Sequence, residues 1–139
     1  MTLVVDASAL VSAVVDSGRE GRWSAALVAG HDLAAPELVL VEAANILRRL
    51  EGAGRISQLE ATSAHRDVLR RDMALFPFAP FAERVWALRH NLTAYDCWYV
   101  AVAEELGCSL VTLDRRLARA NGPECEIETP PRATPGRDA

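Results

Sequence analysis

Short runs of apolar residues alternate along the chain with longer segments in which apolar positions recur every three to four residues. The first run, Thr2–Val5, is rich in β-branched residues and stops at Asp6, where a helical pattern takes over. Continuous apolar runs of this length are typical of buried strands, and the longer period is typical of amphipathic helices. We therefore predict strands over residues 2–5, 32–36, 74–78, 109–112 and 126–128, and helices over residues 9–15, 23–29, 37–50, 57–71, 81–90, 93–106 and 115–120.

Residues of known local preference mark several element boundaries. The segment from Gly18 to Gly21 is expected to separate the first two helices, and Gly107 is expected to end a later one. Ser57 and Glu60 have the spacing of a capping box, in which each side chain binds a free backbone N–H at a helix start. The alternation as a whole predicts an α/β fold with a short, mainly parallel sheet between two layers of helices.

The length of 139 residues fits one domain, which we place at residues 1–128. The segment 129–139 is rich in Pro and Gly and has little apolar surface to bury, so we predict a flexible C-terminal tail.

Composition narrows the possible chemistry. The chain has 15 basic and 19 acidic residues, a net charge of −4, and every basic residue is Arg. Without lysine, the chain has neither the phosphate-binding lysine of a Walker A loop nor the amine of a pyridoxal Schiff base. The mild acidity disfavours a strong non-specific nucleic-acid binder, because such proteins normally present a basic surface.

Cysteine and histidine give no sign of a metal or disulfide framework. The cysteines Cys97, Cys108 and Cys125 form no CxxC pair, and the histidines are scattered. No basic segment precedes the first apolar run, which Asp6 interrupts, so the amino terminus is a poor signal peptide. The other apolar runs are too short or too interrupted for a membrane span. We therefore expect a cytoplasmic protein without a membrane partner.

Four carboxylates attract attention, and each has an ordinary structural interpretation. Asp6 and Asp114 each follow a predicted strand and could simply cap the next helix, while Asp96 could belong to a capping box with Thr93. Glu42 lies at the edge of the apolar face of its helix, and it could simply face solvent.

The alternative interpretation is that the four acids converge. Ligands of parallel α/β sheets bind beyond the carboxyl ends of the strands, where Asp6 and Asp114 fall. Clustered carboxylates repel one another unless a cation neutralises them, and no lysine is available. Oxygen ligands of this kind suit Mg²⁺ or Mn²⁺, which can activate water for attack on a phosphodiester.

The local contexts of these acids resemble the motifs of the PIN-domain ribonucleases, most closely the VapC toxins of bacterial toxin–antitoxin pairs. The resemblance covers about residues 1–128, and it rests on the order of four motifs more than on any one of them. They are Asp6-Ala-Ser8, Glu42 with Asn45, Leu92-Thr-Ala-Tyr-Asp96 and Leu110-Val-Thr-Leu-Asp114. It implies a PIN-like three-layer α/β sandwich and a Mg²⁺- or Mn²⁺-dependent endoribonuclease acting on RNA. It also implies a homodimer that a VapB-type antitoxin holds inactive.

The resemblance also assigns residues. It implies that Asp6, Glu42 and Asp96 are the acids nearest the metal, and that Asp114 is a fourth acid of more variable role. Supporting positions are Ser8 and Thr112, whose hydroxyls would bind carboxylates or metal-bound waters, and Asn45, which would orient Glu42. Bonding of these side chains to nearby backbone groups stays an equally good interpretation.

Arginine must hold any RNA phosphates in a chain without lysine, because its guanidinium offers both charge and bidentate geometry. We expect Arg115, Arg116 and Arg119 to serve here, since they directly follow Asp114. A solvated, ion-paired surface is the ordinary alternative for such a cluster.

Other families fit the sequence less well. A haloacid-dehalogenase-like phosphatase needs a second Asp where this chain has Ser8, a receiver domain needs a lysine, and a dinucleotide-binding fold needs a glycine-rich first turn. Two alternatives stay open: a catalytically silent PIN-like binding module, and a housekeeping nuclease that is not a toxin.

Overall fold

Five parallel strands form a sheet at the centre of the computed structural model, which describes residues 1–133. The strands are β1 (Thr2–Val5), β2 (Asp32–Pro36), β3 (Met73–Phe76), β4 (Leu110–Val111) and β5 (Ile127–Glu128). Their order across the sheet is β3-β2-β1-β4-β5, with Val4 of β1 opposite Ala34 on one side and Leu110 on the other. The predicted strands are all present, each within two residues of the expected ends.

Seven α-helices connect the strands in the described part of the chain, and a 3₁₀ turn at Ala79–Phe81 precedes the fifth. They are α1 (Ala7–Val15), α2 (Arg19–Gly30), α3 (Leu38–Gly52), α4 (Gln58–Arg70), α5 (Ala82–Leu88), α6 (Ala94–Leu106) and α7 (Arg115–Ala118). Among the described residues, no helix combines the length and apolar character that crossing a membrane requires.

The order of the strands determines where the helices lie. The chain moves from β1 to β2 to β3 in one direction across the sheet, and from β3 to β4 to β5 in the other. Because such connections are right-handed, α1 to α4 cover one face and α5 to α7 cover the opposite face. The packing agrees, since α1 contacts α2, α3 and α4, whereas α6 contacts α5, β1, β2 and β4. The predicted three-layer α/β sandwich is confirmed.

The core lies where β1 meets the helices of both faces. Val4 and Val5 of the central strand are at most 1% exposed, and so are Leu10 of α1 and Val100 of α6. The carboxyl ends of β1 and β4 are therefore held on two sides by packed helices. This arrangement gives side chains at those ends a rigid support.

The capping box predicted at Ser57 is confirmed, because Ser57 Oγ accepts from Glu60 N and Glu60 Oε1 accepts from Ser57 N, both at 3.0 Å. Gly107 ends α6 in the left-handed region, with φ of 63°. Both features arise from local preferences that are visible in the sequence.

The helix α2 corrects one boundary prediction. It begins at Arg19, so Gly21 lies inside the helix and does not break it. Gly21 is buried, and its N–H donates to Asp16 Oδ2 at 3.1 Å. A Cβ atom added there would lie 1.8 Å from the backbone oxygen of Asp16. The glycine is thus required by the close contact between α2 and the end of α1.

The predicted tail is only partly described. Pro130 is buried, and its carbonyl accepts a hydrogen bond from Arg115 Nη2 at 2.9 Å. Residues 134–139 lie outside the described residues. The domain end at residue 128 and the flexibility of the whole segment stay predictions.

A first prediction concerns the contact at Gly21. Gly21→Ala should lower the free energy of unfolding by about 3 kcal/mol, because the new methyl group meets backbone atoms that cannot rotate away. The matched control is Gly30→Ala in the same helix, where an added Cβ meets no atom within 4 Å. That control should be neutral or stabilising by up to about 1 kcal/mol. Urea denaturation measures both, and equal effects of the two changes would contradict the proposed contact.

A second prediction concerns an ion pair between α5 and α6. Arg84 donates to Glu104 through Nε at 2.7 Å and Nη2 at 3.0 Å, and Glu124 N donates to the same carboxylate at 2.7 Å. Burial opposes ionisation of Glu104, but these bonds outweigh it and lower its pKa. The stabilisation is therefore present above the pKa of an unfolded Glu, about 4.3, and is lost as the pH falls through the lower folded-state value.

Glu104→Gln should consequently cost about 1–3 kcal/mol of stability at neutral pH, and the difference from wild type should shrink on acidification. Glu105→Gln is the control, since Glu105 is the exposed neighbour on the same helix. Chemical denaturation across pH 3–7 checks this expectation. A difference that stays constant with pH would show that the charge of Glu104 is not involved.

Candidate metal centre

The four predicted acids meet at the carboxyl ends of β1 and β4, the point where the chain reverses direction across the sheet. Asp6 follows β1, and Asp114 follows β4. Glu42 comes from α3 on one face, and Asp96 comes from the first turn of α6 on the other. All four are partly buried and line one cavity of about 340 Å³. The structure thus brings together the residues that the sequence analysis selected.

Asp6 is the most firmly held of the acids. Its Oδ1 accepts from Ser8 Oγ at 2.6 Å and from Ala9 N at 3.0 Å, and its Oδ2 accepts from Thr112 Oγ1 at 2.5 Å. Burial raises the pKa of Asp6, the three hydrogen bonds oppose that rise, and the charge of Asp96 adds to it. Asp6 is the N-cap of α1 and also lines the cavity with the other three acids, so capping and convergence are compatible at this residue.

Ser8 and Thr112 connect Asp6 to the loop after β4. Besides donating to Asp6, Ser8 Oγ accepts from Leu113 N at 3.1 Å and Thr112 Oγ1 accepts from Asp114 N at 3.0 Å. Each hydroxyl therefore binds a carboxylate and a backbone group at once. The carboxylate bond and the backbone bond, which the sequence offered as alternatives, are both present. Together they hold the ends of neighbouring strands in register around the cavity.

Glu42 is held by a tyrosine. Tyr99 on α6 is 2% exposed, and its hydroxyl donates to Glu42 Oε1 at 2.6 Å. Burial raises the pKa of Glu42, the Tyr99 bond opposes this, and the charges of Asp6 and Asp96 add to it. Burial and the bond to Glu42 raise the pKa of Tyr99 far above its usual value, so this hydroxyl stays protonated and remains a donor.

Asn45 does not occupy the position expected of it. It is exposed, and its side-chain oxygen accepts from Arg48 Nε at 3.0 Å. The hydrogen-bond donor at Glu42 is Tyr99. The sequence analysis did not select Tyr99 as a site residue, although it lies three positions after Asp96 and so on the same side of its helix.

Asp96 lies at the amino end of α6, where Thr93 Oγ1 accepts from Asp96 N at 3.1 Å and caps the helix. Burial raises the pKa of Asp96, and the charge of Asp114 raises it further, whereas the Thr93 hydroxyl and the charge of Arg116 lower it. The positive end of the helix dipole favours negative charge at this position.

Asp114 differs from the other three acids because it already has a cationic partner. Its Oδ1 accepts from Arg116 N at 2.9 Å and from Arg116 Nε at 3.3 Å. Burial works against ionisation, but the hydrogen bonds and charge of Arg116 outweigh it and lower the pKa of Asp114.

The other two predicted phosphate-binding arginines lie nearby on α7 or at its end. Arg115 is engaged with the Pro130 carbonyl, and Arg119 is exposed. The Arg116 side chain is 85% exposed despite its bond to Asp114.

These carboxylates suit a hydrated divalent cation. Within residues 1–133, no three Asp, Glu, His or Cys side chains are placed to ligate one ion together directly. Mg²⁺ nevertheless keeps several waters and commonly binds through only one or two protein carboxylates. A cavity of about 340 Å³ fits a hydrated ion, and it is lined by Asp6, Glu42 and Asp96, whose pKa values are raised by burial and by neighbouring carboxylates.

The fold and the site define a doubly wound α/β protein with an acidic centre at the switch point of its sheet. The family described as PIN domain matches residues 3–123. The chain belongs to the PIN-domain family.

Individual relatives agree with this assignment. The protein named ribonuclease VapC9 from Mycobacterium tuberculosis is 38% identical over 130 residues, which cover 94% of this chain and 99% of that protein. The crystal structure of PAE2754 from Pyrobaculum aerophilum has a TM-score of 0.69 and 29% identity, over 91% of this chain and 83% of that one. VapBC2 from Rickettsia felis, bound to a DNA fragment from their promoter, has the same fold, with a TM-score of 0.66, 17% identity, and coverage of 93% and 98%.

A third prediction concerns Thr112, which is fully buried and whose hydroxyl both donates to Asp6 and accepts from Asp114 N. Thr112→Val keeps the shape of the side chain but leaves Asp6 with one donor fewer and Asp114 N without an acceptor. We expect a loss of about 1–3 kcal/mol in the free energy of unfolding. The same change at exposed Thr62 is the control and should have little effect. Equal effects in urea denaturation would show that the hydroxyl network contributes nothing.

Proposed function

We propose that this protein is a Mg²⁺- or Mn²⁺-dependent endoribonuclease and the toxin of a VapBC-type toxin–antitoxin pair. The observation that carries the proposal is the convergence of Asp6, Glu42 and Asp96 on one cavity, where burial and the charges of neighbouring acids raise their pKa values. A bound divalent cation would neutralise the repulsion within such a cluster, and carboxylate oxygens are suitable ligands for it. The relatedness to ribonuclease VapC9 supports RNA as the substrate.

The three acids would hold the ion directly or through its waters. A bound ion would supply a water of lowered pKa for attack on a phosphodiester, and positive charge for the leaving oxygen. Ser8 and Thr112 keep Asp6 in one orientation, and Tyr99 does the same for Glu42. The acids thus need little rearrangement when the ion arrives.

Asp114 acts differently in this proposal. Its partner Arg116 has an exposed guanidinium bonded to Asp114, which lines the cavity, and this guanidinium can meet a phosphate oxygen of the RNA. Asp114 then serves mainly to position that arginine and to complete the acid set. Arg119 is free to extend the phosphate contact from solvent, while Arg115 holds the segment around Pro130.

We infer that the partners are RNA, a VapB-type antitoxin and a second copy of the chain, all in the cytoplasm. The likeness in fold to VapBC2 from Rickettsia felis supports the antitoxin. Large apolar side chains on the surface offer contact area for protein partners, since Trp86 is 67% exposed and Phe78 is 44% exposed.

A fourth prediction tests the chemistry. Asp6→Asn and Asp96→Asn should each reduce Mn²⁺-dependent cleavage of structured RNA more than about 100-fold, because each removes a charged metal ligand. The control is Asp32→Asn, an exposed acid at the start of β2 and at the opposite edge of the sheet, which should cleave like wild type. Isothermal titration with Mn²⁺ should show weaker binding for the two site variants alone.

Expression in a bacterial host separates the remaining alternatives. A toxin should arrest growth, and the arrest should disappear with Asp6→Asn or with a co-expressed antitoxin encoded beside it. Cleavage without arrest would favour a housekeeping nuclease. Neither cleavage nor Mn²⁺ binding by wild type would favour a catalytically silent binding module and overturn the proposal.

A further inference from the structure

One hydrogen bond joins the two helical layers at the acidic cavity. Glu42 lies on α3, which covers one face of the sheet, and Tyr99 lies on α6, which covers the other. Both side chains line the cavity, and the Tyr99 hydroxyl donates to Glu42 Oε1 at 2.6 Å. The bond therefore links two residues that line the cavity in which an ion would lie beside Asp6.

The four acids differ in how they are held. Asp6 receives three hydrogen bonds that restrain both of its oxygens, and Asp114 is bound by Arg116. For Glu42, the restraint within residues 1–133 is the bond from Tyr99. A glutamate side chain has more rotatable bonds than an aspartate, so without that donor Glu42 would spread over several rotamers.

We propose that Tyr99 is a positioning residue for the metal centre, whose hydroxyl fixes Glu42 through Oε1 and leaves Oε2 to bind the ion or one of its waters. This inference rests on the proposed function. Tyr99 touches the carboxylate and need not contact the ion or the RNA. Groups that orient a metal ligand in this way commonly contribute 10- to 100-fold to metal affinity or activity.

Tyr99 is well suited to this task because it cannot easily move. Its side chain is 2% exposed, and its neighbours along α6, Val100 and Ala101, are buried in the core. Because the core fixes Tyr99, the position of α6 determines where the carboxylate of Glu42 on α3 is held. Asp96 is on the same helix one turn earlier, so α6 sets the place of two acids at once.

The direct test is Tyr99→Phe, which removes one oxygen and retains the ring. Tyr95→Phe is the matched control, since Tyr95 is on the same helix but 61% exposed. We expect Tyr99→Phe to raise the Kd for Mn²⁺ about 10- to 100-fold by isothermal titration and to lower kcat for RNA cleavage. Tyr95→Phe should bind Mn²⁺ like wild type.

A double-mutant cycle separates positioning from a general effect on the fold. If Tyr99 acts through Glu42, Tyr99→Phe should not weaken Mn²⁺ binding further in a protein that already carries Glu42→Gln. Equal Mn²⁺ affinity of wild type and Tyr99→Phe would overturn the inference, as would additive effects in the cycle. Failure of wild type to bind Mn²⁺ would instead overturn the proposed function itself.

A spectroscopic measurement tests the same contact without altering Tyr99. The chain has two tyrosines, so fluorotyrosine labelling of the Tyr95→Phe protein leaves one ¹⁹F resonance, that of Tyr99. Mg²⁺ should shift this resonance when Glu42 is present and leave it unchanged after Glu42→Gln. A Tyr99 resonance that does not respond to Mg²⁺ in the protein with Glu42 would contradict the positioning role.

Discussion

The hydrogen bonds at the Asp6 carboxylate are the interaction on which the rest of the site depends. They join the end of β1 to residues that follow β4, which lie 106 positions further along the chain in the case of Thr112. A carboxylate in this position would be costly to bury without donors. Ser8, Thr112 and the backbone of Ala9 supply them, and these bonds oppose the rise in the pKa of Asp6 that burial between the helical layers causes. The loop carrying Asp114 is placed by the same two hydroxyls.

The position of the Asp6 carboxylate also affects the pKa of Glu42, another acid in the cavity. The charge of Asp96 raises the pKa of Asp6, and the charges of both raise that of Glu42. The charge of Asp114 raises the pKa of Asp96, while Arg116 lowers the pKa of Asp114 itself. The site thus has two parts. In the first, the carboxylates of Asp6 and Glu42 are bonded to neutral donors, and in the second, the carboxylate of Asp114 is bonded to the cation of Arg116. A divalent ion would complete the first part, and a phosphate can compete for the arginine of the second. An overall charge of −4 is therefore compatible with RNA as a substrate, because the positive charge is local.

Much of the fold could be predicted from the sequence, because it depends on local periodicity. Alternating apolar runs gave the strands, and helix starts such as Ser57 have a recognisable local signature. Gly21 was misinterpreted as a helix breaker because its role is a tertiary contact with the Asp16 carbonyl, which no local pattern reveals. Asn45 was expected to orient Glu42 because both lie on one helix, but the actual donor comes from another layer. The convergence of the four acids was predictable from strand ends and helix faces, whereas the particular partners of Gly21 and Glu42 were not.

The structural and functional interpretations of the aspartates turn out to depend on each other. In a parallel sheet the helix after each strand begins at the same edge, so the residues that cap these helices are brought together by the topology alone. Asp6 caps α1, and Asp114 caps α7. The positive ends of the helix dipoles reduce the repulsion among the acids they face, Asp96 at the start of α6 included. A chain that caps its helices with aspartate at the switch point therefore brings together most of the acids that the proposed metal centre would use, and Glu42 with Tyr99 adds the part that capping cannot supply.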